Sequence, residues 1–277
     1  MKKVLVTTDF SDKSEAALFF AIQLSSQAGF RLVFFYVCTI KSPLSFTTNQ
    51  IADYEKQEIK ILLKRLNLFV SKIYKDLAIV PPKLNCAVVN AVFIQSAIID
   101  YATLNKFNFI CISTKGAGKL QSMLGTNTAN LINHSNVPVI AVPYKYKQAK
   151  ITSILYASDL VNVENELKHV VAFAKLLSAS LELLHFNSPI ETLNDKKAVL
   201  HSIKKFSKYS LTLNIKDNNF IKTLVTNIEE AIVKTKPSLL IMFTEQNRSL
   251  FQKIFISSKS AEYSFNAKVP LLVFNKS

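Results

Sequence analysis

The segment Ser113-Thr114-Lys115-Gly116-Ala117-Gly118-Lys119, followed by Gly125-Thr126-Asn127-Thr128, holds the residue types best suited to chemistry, and three of the chain's four glycines lie in it. A glycine-containing loop leaving a strand lets backbone amides approach phosphate oxygens closely. Gly125 and Thr126 are expected to open a helix, whose unpaired amides and positive dipole end favour an anion. Thr126 and Thr128 can donate hydroxyls, and Lys115 or Lys119 can add positive charge. Glycine also serves plain turns, so the loop alone leaves phosphate binding and ordinary turning both open.

Other reactive residue types form no comparable pattern. His134, His169, His185 and His201 are far apart and show no paired-ligand spacing. His185 reads as a core or edge histidine, and His134 as a helix-end residue facing the dipole. Glu229-Glu230 reads as the polar face of a helix. There is no nucleophile elbow, no Walker loop and no Cys–His signature. Enzymatic turnover is not expected, and no base can be assigned.

The elements around the loop follow from alternation. Short apolar runs at residues 4–8, 32–37, 84–89, 109–113 and 137–142 read as strands. Residues 14–28, 50–77, 92–104 and 125–134 read as helices. Ser11 or Asp12 is the expected N-cap of the first, and Gly29 its stop. Apolar strands alternating with helices predict a parallel sheet covered on both faces. Ligands in such sheets sit beyond the carboxyl ends of the strands. The residues to inspect therefore follow strands one, two and four.

The pattern then repeats. Tyr156-Ala157-Ser158-Asp159 restates Val6-Thr7-Thr8-Asp9 with a shift of 150, under which Gly29 falls on Ala179. Val137-Pro138-Val139 meets Val269-Pro270-Leu271 with a shift of 132. Duplication explains both registers and predicts domains over residues 1–147 and 148–277. In the second half the loop position reads Thr244-Glu245-Gln246-Asn247-Arg248, and no glycine follows Gly125. A phosphate site of this kind is expected in the first domain only, leaving the second as a structural or regulatory partner.

The opening Val4-Leu5-Val6-Thr7-Thr8-Asp9-Phe10-Ser11 resembles the start of universal stress protein domains. The stretch from Gly125-Thr126-Asn127-Thr128-Ala129 to Val137-Pro138-Val139 is similar to their close. The resemblance implies two doubly wound α/β domains of the adenine nucleotide alpha-hydrolase-like kind, each with strand order 3-2-1-4-5. In many members it also implies an ATP site patterned Gly, two residues, Gly, nine residues, Gly, then Ser or Thr. Two departures stand out: Ser113 replaces the first glycine, and eight residues separate Gly116 from Gly125. By resemblance, Thr8, Asp9 and the backbone of Val37 would hold the adenosine end. Ser113, Lys115, Gly116, Gly125, Thr126, Asn127 and Thr128 would surround the phosphates, with Mg2+ accompanying ATP. The family also pairs domains through their fifth strands, here within one chain, with a homodimer left open.

Composition bounds the partners. The formal charge is +15, with 18 basic and 8 acidic residues up to residue 150 and 16 and 11 beyond it. A basic surface concentrates anions, yet the lysines are scattered and only Arg31, Arg65 and Arg248 are arginines, which argues against a nucleic-acid stripe. No apolar run approaches the ~20 residues needed to cross a bilayer. The chain enters its first strand with no leader pattern, and Cys38, Cys86 and Cys111 sit in apolar stretches as reduced thiols would. These features predict a cytoplasmic protein. The leading expectation is a stress-response module that binds ATP or a related adenine nucleotide and presents a ligand-dependent surface to a protein partner. The alternatives are a nucleotide-free structural protein of the same fold and a salt-sensitive binder of anionic surfaces or nucleic acid.

Overall fold

A computed structural model of the chain describes residues 1–114, 126–187, 203–206, 209, 211–217, 224–244 and 269–275. The chain divides into two compact units, Met1–Gln148 and Ala149–Ser277. The first unit runs β1 (Lys3–Thr7), α1 (Glu15–Ala28), β2 (Arg31–Cys38), α2 (Thr48–Asp76), β3 (Cys86–Asn90), α3 (Ile94–Leu104), β4 (Phe109–Ser113), α4 (Thr126–His134), β5 (Val139–Val142). Its strands pair in parallel in the order β3-β2-β1-β4-β5.

Local chemistry sets the helix ends. The Ser14 amide donates to the Ser11 carbonyl at 2.9 Å and the Ser11 hydroxyl at 3.3 Å. Ser11 thus braces the turn ahead of α1 but does not cap the helix, as Ser11 or Asp12 was expected to: α1 begins at Glu15, and its N-cap is Ser14, which makes no side-chain capping bond. Gly29 ends the helix in the left-handed region at φ 68°, its amide donating to the Ser25 carbonyl. A capping box starts α2 at Thr48, two residues ahead of the sequence expectation. The Thr47 amide donates to Gln50 Oε1 at 2.8 Å, and the Gln50 amide donates to Thr47 Oγ1 at 3.4 Å.

Alternation in β2 covers the sheet on both faces. Phe34 meets Tyr74 of α2 edge-on, whereas its neighbour Phe35 stacks on Tyr101 of α3 at 4.4 Å. Successive strand residues point to opposite faces, so α2 and α3 lie on opposite sides. Phe34 and Phe35 are 1% and 0% exposed; burying each stabilises the unit by about 1.5–3 kcal/mol.

The second unit runs β6 (Ser153–Ala157), α5 (Val163–Leu177), β7 (Ser180–Asn187), β8 (Leu211–Asp217), α6 (Leu224–Thr235), β9 (Leu239–Thr244), β10 (Leu271–Asn275). Its strands follow β8-β7-β6-β9-β10, the same winding. β6 repeats β1 at a shift of 150, but β7 repeats β2 at 149. The counterpart of Gly29 is therefore Ser178, not Ala179. Ser178 occupies the left-handed cap position with φ 50°. Backbone conformation identifies the cap where residue type does not.

Candidate functional site

In the first sheet, β1 leads through α1 to one side and β4 leads through α4 to the other. The chain reverses its winding between them, which opens a crevice beyond the carboxyl ends of β1 and β4.

The end of β1 forms a tight polar turn. The Thr8 amide donates to the Phe35 carbonyl at 3.1 Å, the last rung of the β1–β2 ladder. Thr8 Oγ1 lies 2.8 Å from Ser14 Oγ and accepts from the Phe10 amide at 3.1 Å. Asp9 is exposed, and its Oδ1 accepts from the Ser11 amide at 3.1 Å and from the Ser11 hydroxyl at 2.5 Å. Phe10 holds φ 62°, which a bulky residue adopts only when its surroundings over-determine it. Those surroundings are Tyr36 at 4.5 Å, Phe69 at 5.5 Å and the Arg65 guanidinium 4.5 Å above the ring. Burial lifts the Tyr36 phenol above its usual range; Cys38 and Asp9 add to the rise, and Arg65 opposes it.

Val37 meets the same opening through its backbone. The Arg31 amide donates to Lys2 and the Phe35 carbonyl accepts from Thr8, so odd-numbered residues of β2 face β1. The Phe34 amide donates to Asn85 and the Cys38 carbonyl accepts from Ala91, so even-numbered ones face β3. Val37 therefore directs its amide and carbonyl towards β1, which has ended at Thr7. No backbone partner meets them among the described residues.

At the end of β4 the Ser113 hydroxyl donates to the Lys13 carbonyl at 2.6 Å, closing the β1–α1 turn onto β4. The Thr114 amide donates to the Val142 carbonyl at 2.8 Å and so belongs to the sheet. Thr128, expected to offer its hydroxyl to phosphate, turns it inward to the Ser113 carbonyl at 3.1 Å and is 1% exposed. That bond holds the first turn of α4 against the end of β4. Asn127 is exposed, and its Oδ1 accepts from Gln95 of α3. Thr126 begins α4. Lys115, Gly116 and Gly125, with Lys119, lie outside the described residues. The structure thus brings Thr8, Asp9, Val37, Ser113 and the α4 amino end to one crevice, with Ser113 and Thr128 acting as braces.

Thr114 belongs to this set although the sequence reading passed over it. It is 7% exposed, and its hydroxyl meets no partner among the described residues. The available signal was a hydroxyl residue at the strand end, overshadowed by the glycines that follow.

The second unit repeats the first turn. Leu160 holds φ 65°, its amide donates to Ser158 Oγ at 3.0 Å, and the Val161 amide donates to Asp159 Oδ1 at 3.1 Å. Beneath the turn, Tyr156 stands where β1 has Val6, and its phenol donates to the buried Glu166 carboxylate. Burial, reinforced by Glu166, drives the Tyr156 phenol far above its usual range. His185, 3% exposed, bonds the Ser158 carbonyl through Nδ1 at 2.9 Å. His134 bonds the Asn130 carbonyl one turn earlier in α4, which suits its helix-end position. Residues 245–258, the counterpart of the loop, lie outside the described residues. Among the described residues no group of three His, Cys, Asp or Glu could hold a metal, and no helix is long and apolar enough to cross a membrane.

The sequence model of the universal stress protein family matches residues 1–143. No curated protein matches the chain. Among solved structures, a universal stress protein from Archaeoglobus fulgidus is similar at TM-score 0.70 and 14% identity, over 99% of this chain and 98% of that one. A functionally unknown protein from Pseudomonas aeruginosa is similar at TM-score 0.59 and 13% identity, over 99% and 92%. The cytoplasmic domain of a prokaryotic cation chloride cotransporter follows at 0.51 and 11%, over 98% and 94%. At such identities the likeness is one of fold.

Proposed function

The chain belongs to the universal stress protein family, and from that premise we propose that its first unit binds an adenine nucleotide, ATP or a relative, as a ligand-responsive module without fast turnover. The observation that carries this reading is the Thr128–Ser113 bond, which holds the α4 amino end at the crevice between β1 and β4. The opening amides of a helix lack partners within it and favour an anion. The backbone of Val37, which meets no backbone partner among the described residues, supplies one donor and one acceptor for a base edge, and Asp9 supplies acceptors for ribose hydroxyls.

The second unit is read as a partner without nucleotide. Its chain has no glycine after Gly125, and a buried carboxylate, Glu166, underlies the turn that corresponds to the first site.

Calorimetric titration of the full chain with adenosine, AMP, ADP and ATP tests the reading. Saturable heat with at least one of them is expected, and Asp9→Asn should weaken binding about tenfold by removing charge from the ribose contact. Asn keeps the Oδ1 that accepts from Ser11, so the turn should survive. If none of the four produces saturable heat, the proposal fails. The competing reading, a nucleotide-free structural protein, draws on the Ser113 and Thr128 hydroxyls and the Thr114 amide, which are engaged without any ligand. Mass spectrometry of gently purified protein separates the two by whether a nucleotide co-purifies.

A further inference from the structure

Helix α2 presents two opposite faces. Leu66, Val70, Ile73 and Tyr74 are buried, and Tyr74 meets Phe34 of β2. At about 100° of turn per residue, Ile61 and Leu68 fall on the side directly opposite. They are 59% and 64% exposed. A helix that only covers a sheet carries polar residues on its outer face, so packing gives no reason for two large apolar side chains there.

Charge along this outer face has one sign. From Ile59 to Lys75 the chain holds Lys60, Lys64, Arg65, Lys72 and Lys75, and no acidic residue. Arg65 is turned to the Phe10 ring, and Lys72 lies close enough to Glu15 of α1 to oppose the rise that burial gives its carboxyl. Lys60, Lys64 and Lys75 are exposed and form no ion pair among the described residues. The acidic residues of α2 lie outside this span. Asp53 is paired with Lys56 at 3.8 Å, and Glu55 accepts from Asn90 at 3.0 Å.

Lysines beside exposed apolar side chains select the kind of partner. A nucleic-acid backbone would use the charge but not Ile61 or Leu68. An apolar helix face docks on another protein by entering a groove of that protein, and specific protein contacts of this kind rely on several spaced apolar anchors. Two apolar residues ringed by lysines suit a flat anionic bilayer instead. Apolar side chains enter the boundary between headgroups and acyl chains, while lysine stems lie along it and hold their ammonium groups among the headgroups.

We infer that the outward face of α2, through Lys60, Ile61, Lys64, Leu68 and Lys75, docks the chain on the surface of an anionic lipid bilayer. The contact is peripheral and independent of the nucleotide reading, whose crevice lies at the carboxyl ends of β1 and β4.

Flotation of the full chain with vesicles tests this, using phosphatidylglycerol and phosphatidylcholine in equal parts against phosphatidylcholine alone. The chain should float with the mixed vesicles only and be released as salt is raised. Replacing Lys60, Lys64 and Lys75 together by Gln should weaken binding roughly a hundredfold, and Ile61→Ser with Leu68→Ser roughly tenfold. All five side chains are exposed, so the melting temperature without vesicles should match wild type in both variants. Failure to float with the mixed vesicles overturns the inference. So does flotation indifferent to the Ile61 and Leu68 changes, which would leave only the general attraction of a chain charged +15. Tighter binding to poly-glutamate or duplex DNA than to the mixed vesicles, with the same dependence on Ile61 and Leu68, would assign the face to a protein or a nucleic acid and overturn it as well.

Discussion

Thr128 and Ser113 show how single hydroxyls decide what the crevice can offer. Replacing Thr128 by Val would leave the Ser113 carbonyl without its donor, at a cost of about 1–3 kcal/mol. Urea denaturation should show that loss in Thr128→Val and little of it in Thr128→Ser, which keeps the donor. Equal stability of the Val variant and wild type would mean that α4 is not held by this bond. Buried thiols give a second effect at the same scale. Burial pushes the Cys86 thiol up to about 11, from an ordinary value of 9.0, and drives the fully buried Cys111 higher still. Both thiols ionise more readily in the unfolded chain than in the folded one. The stability they confer is present below pH 9.0, lost as pH climbs towards 11, and for Cys111 lost beyond that. The urea midpoint should fall between pH 8 and pH 10, and fall less steeply in the Cys86→Ala, Cys111→Ala double variant. Parallel curves would contradict the assignment.

Elements carry the evidence of duplication, and their ends carry its cost. Gly29 and Ser178 close α1 and α5 in the same left-handed conformation, φ 68° and 50°. A Cβ at Gly29 would meet nothing within 4 Å, so Gly29→Ala should cost about 1 kcal/mol through backbone strain alone. Ser178→Gly should relieve that strain in the second unit, partly offset by the added freedom of the unfolded chain, for a gain of about 0.5 kcal/mol. Chemical denaturation of the two variants should move in opposite directions. Movement in the same direction would mean that the two caps are not equivalent. The repeated Thr8-Asp9-Phe10 and Ser158-Asp159-Leu160 turns show the same inheritance, since both place a bulky residue at positive φ behind a hydroxyl that accepts its amide.

For the whole molecule, the duplicated winding and the unequal loops predict one nucleotide per chain. Calorimetric stoichiometry on the full chain reads this directly; two sites of similar affinity would return the second unit to the list of binders. The charge of +15 adds a salt dependence, because a basic surface attracts any anion at a distance. Nucleotide affinity should therefore decline with added salt, but far less than the collapse expected of a nucleic-acid binder.

The α/β class and the repeat were legible in residues 1–277 because each depends on local periodicity and turn chemistry, whereas the glycine-bearing loop lies outside the described residues. Strand–helix alternation is written in neighbours two to four positions apart, and the Tyr156–Asp159 match to Val6–Asp9 survives without any fold. Other features depended on where distant segments land. Ser113 bonds Lys13 across 100 positions and Thr128 bonds Ser113 across 15, so the direction of each hydroxyl follows from packing. The opening at Val37 exists because β1 ends at Thr7 while β2 continues to Cys38, a difference in strand length visible only once the register is set. The one-residue change of shift between β1–β6 and β2–β7 likewise emerged from backbone conformation at Ser178. Local sequence specifies which elements form, and the pairing of those elements decides which polar groups are left to meet a ligand.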